Sequence, residues 1–287
     1  DPVAIETYRS NLPGHPAIAG DISSLVDRPG LGDADLVIGG PPCQGFSVAG
    51  RMDPKDPRSR HVWTFLEVVE DVRPRAFVME NVKSLAVNRR WTGLLDNLMV
   101  RAEDLGFESL WTVEHVVVPT GYQSTYPYSP TGRMPGTEDN PIPDPLVWLS
   151  YVAGATTSIR LATGVLILPQ RNQLVLAKEV ATLDAMSGGR VELGIGVGWL
   201  REEFEALGVP FEDRGKRTDE YVEVLRRLGS EPATAHAGDF ARFAEVQSFP
   251  KPARTGGPRI HVGGHTLAAA RRAGRIGDGF FPGRDLD

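Results

Sequence analysis

The 287-residue sequence has a single cysteine, Cys43, so no internal disulfide can staple it. A lone thiol fits a reducing cytoplasm. Positive charge is not in surplus: 31 lysines and arginines face 37 acids, for a net charge of -6. A dedicated nucleic-acid binder ordinarily shows a basic face, so DNA is expected as a weak partner at most. No run of about 18 apolar residues occurs, and the N-terminus lacks the charged-then-apolar pattern of a signal peptide. A soluble, cytoplasmic protein without a membrane partner is therefore expected. His236, His261 and His265 lack metal-ligand spacing with acids or thiols, so no metal is expected. Neither a repeat of fixed period nor a low-complexity segment is present. Hydrophobic content of 41% and charged content of 24% are ordinary globular values that argue against long disordered tails.

What is there is alternation. Short apolar, β-rich runs are predicted as strands at residues 17–22, 35–39, 76–80, 109–113, 159–165, 190–197, 259–262 and 279–281. Amphipathic stretches at 62–72, 91–105, 174–186 and 217–228 read as helices between them. Such βα alternation predicts parallel sheets. The opening segment reads as a helix and begins with Asp, which predicts a start inside a domain, after a strand. Residues 119–145, rich in Pro, Gly, Tyr and Ser, read as a binding or lid loop. Residues 230–257 read as a small hairpin with a Pro/Gly-rich return.

Asp35-Leu-Val-Ile-Gly-Gly-Pro-Pro-Cys-Gln-Gly-Phe-Ser47 reads as a strand opening into a rigid turn that presents Cys43 at the strand's C-terminal end. That edge is where α/β sheets place reactive groups. Ala76-Phe-Val-Met-Glu-Asn-Val82 would bring Glu80 to the same edge. A thiol beside a carboxylate suits nucleophilic attack on a ring that is protonated as it is attacked. The plainer alternative is a small core Cys and a solvated acid.

The Pro-Pro-Cys-Gln-Gly-Phe-Ser and Glu-Asn-Val motifs resemble the catalytic core of DNA cytosine-5 methyltransferases, over residues 1 to about 105. The resemblance implies Cys43 as the nucleophile toward a flipped-out cytosine, Glu80 as the acid, and Asp21 near the adenine side of the S-adenosylmethionine pocket. The family's Phe-x-Gly-x-Gly methyl-donor loop, Arg-x-Arg segment and target-recognition region are missing. S-adenosylmethionine binding and methylation by this chain alone are accordingly not expected.

From about Ala102 the pattern changes. The segments Leu105-Gly-Phe-Glu-Ser-Leu-Trp-Thr-Val-Glu-His115, Leu161-Ala-Thr-Gly-Val-Leu-Ile-Leu-Pro169, Val191-Glu-Leu-Gly-Ile-Gly-Val-Gly-Trp199 and Ile260-His-Val-Gly-Gly264 place small residues at strand ends. A flat cofactor or its phosphate can approach backbone closely there. In a (β/α) barrel such strand ends form one functional face.

These residues are similar to luciferase-like monooxygenases, in the branch expected to use coenzyme F420, over about Ala102 to Pro282. The resemblance implies a TIM barrel and hydride transfer to or from a deazaflavin. His115 would lie beside the reactive ring, and Gly164–Val165 would form the bulge behind it, often a non-prolyl cis peptide. Thr163, Gly196 and Gly198 would help shape the cofactor site. Gly263 and Gly264 would meet the phosphate at a helix start. The sugar-phosphate dehydrogenases of the family place an acid where Trp199 stands, which puts that substrate class in doubt. Read from the residues alone, His115 is equally a buried histidine and Gly263-Gly264 a simple turn. Trp111, Trp148 and Phe204 read as packing residues.

The sequence thus predicts an α/β chain. Residues 1–105 form a partial Rossmann-like methyltransferase sheet, and residues 106–287 a partial (β/α)8 TIM-type barrel. The join falls in the helix at 91–105. Eight candidate strands also permit a hybrid closed barrel, which requires strand 17–22 to pair with strand 279–281. Open strand edges favour self-association, a possible homodimer. Three functions follow: an oxidoreductase using F420 or FMN on a small organic substrate, a DNA cytosine-5 methyltransferase, or an inactive fusion.

Overall fold

The computed structural model describes residues 2–24, 34–41, 57–79, 92–140 and 142–283. They fall into two compact units, residues 1–97 and 98–287, divided within one helix.

The first unit contains α1 (Pro2–Asn11), β1 (Leu36–Gly39), α2 (His61–Val72) and β2 (Ala76–Met79). β1 and β2 pair in parallel, from Leu36 opposite Ala76 to Gly39 opposite Met79. Parallel neighbours need a crossover, and α2 lies between them in the chain. Val62, Phe65, Leu66 and Val69 are buried on α2, the spacing of one helix face. The Phe65 ring meets Phe77 edge-on at 6.0 Å. It also lies over Gly39, where a Cβ would stand 2.5 Å from Phe65 Cε2. Arg73 ends α2 in the left-handed region at φ 49°, its N–H donating to Val69 O at 2.9 Å.

Helix α3 (Thr92–Asp104) leads into the second unit. There follow β3 (Ser109–Thr112), α4 (Pro145–Ala155), β4 (Arg160–Thr163), β5 (Leu166–Ile167), α5 (Gln173–Met186) and β6 (Val191–Gly196). Next come α6 (Arg201–Ala206), α7 (Arg214–Ser230), the hairpin β7 (Thr234–Ala237) and β8 (Arg242–Val246), β9 (Arg259–Gly264), α8 (Leu267–Ile276) and β10 (Gly279–Pro282). The main sheet runs β10-β9-β6-β4-β3, with β5 also on β6, and all its pairings are parallel.

Two-residue alternation sorts this sheet into two faces. Leu161, Thr163, Val191, Leu193, Ile195, Ile260 and Val262 are buried and form the apolar face that holds the core. The other face carries Trp111, Ala162, Glu192, Gly194, His261 and Phe281. Trp111 and Phe281, on the two edge strands, stack with ring centroids 5.1 Å apart. In a flat sheet those strands would stand about 19 Å apart, four spacings of about 4.8 Å. The sheet is therefore curled into a half-barrel, with the small and polar residues on its concave side.

Three expectations change. Residues 17–22 form no strand; a 3-10 turn, Ile22–Ser24, follows an irregular stretch containing Pro16 and Gly20. The hybrid barrel falls with it, and β10 pairs with β9 alone among the described strands. Strand 76–79, which the hybrid barrel would have taken into the barrel sheet, pairs with β1 alone among the described strands. Helix α4 is absent from the sequence-based reading, although Asp144 caps it by accepting from Leu146 N and Val147 N at 2.9 and 3.0 Å, with Pro145 in its first turn. Among the described residues, no helix is long and apolar enough to cross a membrane.

Glu103 ties α3 to the start of β4. Its carboxylate accepts from the N–H groups of Thr157, Ser158 and Ile159 at 2.9, 2.5 and 2.8 Å. Burial pushes its pKa up, but those donors prevail and hold it at about 2, below the ordinary 4.5. A carboxylate with a depressed folded-state pKa stabilises above its unfolded value and loses that contribution as pH falls. We expect Glu103→Gln to be less stable than wild type at neutral pH. The gap should close between about pH 4.5 and 2, read from urea midpoints across that range.

Candidate active site

The C-terminal ends of β3, β4, β6 and β9 open on a cavity of about 810 Å³. Its floor is backbone. The Gly164–Val165 peptide is cis, and Val165 projects between the ends of β6 and β9. A Cβ on Gly196 would lie 2.6 Å from Val165 Cγ2, and one on Gly263 would lie 2.6 Å from Val165 Cγ1. Both glycines are required by this side chain. Gly198 and Gly264 line the same cavity with φ of 80° and 144°, conformations that favour glycine. Thr163 stands apart. Alternation turns it to the buried face, 1% exposed, where its hydroxyl donates to Gly194 O at 2.6 Å, and it does not line the cavity.

His115 follows β3 and lines the cavity. Its Nδ1 lies 2.9 Å from Glu203 Oε2, and Glu203 is fully buried. Glu203 Oε1 accepts from Val116 N at 2.7 Å and Val117 N at 3.3 Å. The Trp199 ring meets the His115 ring edge-on at 5.7 Å. Trp199 also meets Tyr122 and Tyr126 at 5.5 and 5.1 Å, and Tyr128 extends this wall to His265. Burial, then the neighbouring Tyr122, raises the Tyr126 phenol above its usual pKa.

Next to Glu203, Glu202 holds the long loop. It accepts from Gln123 N and Ser124 N at 2.7 and 3.0 Å, and from Ser124 Oγ at 2.7 Å. Burial opposes ionisation of Glu202, but these donors hold its pKa at about 2. Two adjacent acids on α6 thus bind different segments, the end of β3 and the loop.

Arg214, Arg272 and Thr266 line the cavity as well. Thr266 caps α8 by accepting from Ala269 N at 3.2 Å. The Arg214 guanidinium lies over the Phe211 ring at 3.7 Å, and its Nε donates to Gly198 O at 3.2 Å. Burial, then the Arg201 charge, lowers its pKa. Arg272 Nε donates to Asp219 Oδ1 at 2.5 Å. A helix N-terminus with two arginines favours an anion. Glu114, also on the cavity wall, is committed to structure: Oε1 accepts from Arg171 Nε at 2.8 Å and Oε2 from Ile167 N at 2.5 Å. Burial raises its pKa against the pull of Arg171.

Asp21 belongs to the first unit; it is exposed, and its backbone oxygen accepts from Ser24 N and Oγ. Cys43 and Glu80 lie outside the described residues. Among the described residues no cluster of three or more His, Cys, Asp or Glu side chains is arranged to hold a metal. Sequence reasoning missed Glu203, Arg214 and Arg272; Glu203 sits 88 residues from its histidine, beyond any local pattern.

Residues 93–286 match the family model for luciferase-like monooxygenases. The chain belongs to that family. Residues 1–116 match the model for C-5 cytosine-specific DNA methylases, so the chain is a two-part chimera. It is 36% identical to an uncharacterized protein of Mycobacterium tuberculosis over 191 residues, 65% of this chain and 64% of that protein. The chain therefore spans less than two thirds of such relatives. Type II methyltransferase M.AquIA of Picosynechococcus is 50% identical over 93 residues, 30% of this chain and 38% of its own length. FMNH(2)-dependent dimethylsulfone monooxygenase of Pseudomonas putida is 32% identical over 130 residues, 44% of this chain and 36% of its own. Among solved structures, monooxygenase RslO1 of Streptomyces bottropensis aligns with a TM-score of 0.52 and 32% identity, over 66% of this chain and 53% of that one. An F420-dependent secondary alcohol dehydrogenase shares the fold at a TM-score of 0.53 and 23% identity, with the same coverages.

Gly263→Ala would press its new methyl against Val165 and Ile195 O, 3.3 Å away. We expect it to destabilise by about 1–3 kcal/mol. Val165→Ala added to it should recover part of that loss, a coupling that urea unfolding of both single variants and the double variant measures.

Proposed function

We propose that residues 106–287 carry an oxidoreductase site that transfers a hydride between coenzyme F420 or FMN and a small organic substrate. Residues 1–105 are proposed to be the methyltransferase-derived segment. One observation carries the reading: His115, fixed by Glu203, shares a cavity with a backbone floor and a cationic end. The glycine-lined floor leaves room for a flat ring against Gly164, Val165, Gly196 and Gly263, and a phosphate suits Arg214, Arg272 and the start of α8. Bound there, a flavin or deazaflavin supplies the hydride donor or acceptor. His115 would hold or release a proton beside it, while Trp199, Tyr126 and Tyr128 offer an apolar wall for the substrate. The FMN and F420 named for two of the similar proteins support either cofactor.

Titration of the purified chain with F420, FMN and S-adenosylmethionine tests the proposal. We expect a visible absorbance change with F420 or FMN, weakened by Arg214→Ala. Inertness toward both redox cofactors would remove it. A second reading, cytosine-5 methylation with Cys43 as nucleophile, rests on the 50% identity to a methyltransferase. It requires a Cys43-dependent covalent adduct on 5-fluorocytosine DNA.

A further inference from the structure

We propose that Glu203 is a positioning residue that keeps the His115 proton on Nδ1, so that Nε2 is offered to the cavity as a hydrogen-bond acceptor. The assignment follows from the donors around one carboxylate. Glu203 is fully buried in the second unit, and its Oε1 already accepts from the N–H groups of Val116 and Val117. Its Oε2 faces His115 Nδ1 at 2.9 Å. With Oε1 taken by two backbone donors, the carboxylate acts as an acceptor on Oε2 as well, which assigns Nδ1 as the nitrogen that donates. A neutral imidazole protonated on one nitrogen has a lone pair on the other. Nε2 has no hydrogen-bond partner among the described residues, and His115 lines the cavity. The Trp199 ring packs edge-on against the imidazole, centroids 5.7 Å apart.

The consequence concerns the ligand. A cavity that presents an acceptor at this point selects a substrate that brings a donor, a hydroxyl or an equivalent O–H or N–H group, toward His115. A carbonyl oxygen alone would meet a lone pair. This deepens the oxidoreductase reading and rests on it for the identity of the ligand, but the tautomer itself is a property of the protein without any cofactor.

Nitrogen NMR of the full chain labelled with [15N]histidine reads it directly. The His115 signals are assigned by their loss in His115→Asn and by through-space contacts to the Trp199 ring. We expect a protonated, pyrrole-like Nδ1 and an unprotonated, pyridine-like Nε2 at neutral pH. In Glu203→Gln the amide oxygen is held by the Val116 and Val117 N–H groups, which turns the amide NH2 toward Nδ1. The proton should then move to Nε2, and the two nitrogen shifts should exchange character. Protonation at Nε2 in wild type, alone or together with Nδ1, overturns the proposal, and so does a folded Glu203→Gln whose tautomer is unchanged. If that variant fails to fold, the wild-type spectrum still decides. A correct tautomer with no F420 or FMN binding would sink the oxidoreductase reading instead, so the two failures are distinguishable.

Discussion

Val165 occupies a space that exists only because two neighbouring strands lack a side chain at one level. Its two methyl carbons each lie 2.6 Å from where a Cβ on Gly196 or on Gly263 would fall, too close for either to be present. Strand ends that carry larger residues would be forced apart or would expel Val165 into the cavity. The ends of β4, β6 and β9 can converge because this one side chain fills the gap from below. Convergence is what turns the edge of a parallel sheet into a backbone-floored cavity. The glycines therefore serve packing first, and the open floor is a result of that packing.

Carboxylates fix the remaining parts in place. Glu103 gathers the N–H groups of residues 157–159, Glu202 those of 123 and 124, and Glu203 those of 116 and 117. Asp184, fully buried, accepts from Val191 N and Ala253 N. In each case an acidic side chain satisfies backbone donors of another segment of the chain, most of them dozens of residues away. Buried donors left unpaired cost about 1–3 kcal/mol each, so such an acid constrains loops that have little apolar surface of their own. The long loop before α4 depends on this device: Glu202 on α6 holds Ser124, and Tyr122, beside Trp199, is held by Arg133, which donates to Tyr122 O at 2.6 Å.

Local pattern made much of the fold legible. The Val191-Glu-Leu-Gly-Ile-Gly segment declares a strand with apolar Val191, Leu193 and Ile195 on one face, and the structure buries all three. The hairpin expected within residues 230–257 is present as β7 and β8. Residues 17–22 misled because Ala-Ile-Ala resembles a short strand while Pro16 and Gly20 deny it a sustained ladder. Thr163 shows a subtler failure. The family resemblance implied a place in the cofactor site, but alternation turns Thr163 to the buried face, away from the cavity. Glu203 was illegible for a different reason: its role comes from a contact across 88 residues, and adjacent Glu202 has the same chemistry with another partner.

A half-barrel raises the question of what keeps its concave side from collapsing. A closed barrel fills its interior with layers of side chains from alternate strands. Here Trp111 and Phe281 reach across from the edge strands and stack, while both remain about 40% exposed. Below them Glu192 accepts from His261 Nε2 at 2.7 Å and pairs with Arg160, a polar layer that tolerates water as an apolar one would not. The sequence puts its large apolar residues on the convex face and leaves the concave face to glycines, one polar triad of Arg160, Glu192 and His261, and two aromatic rings. That distribution suits a curled sheet whose concave face is lined by small and polar groups. It also keeps the strand ends, and with them His115, at the rim of one cavity.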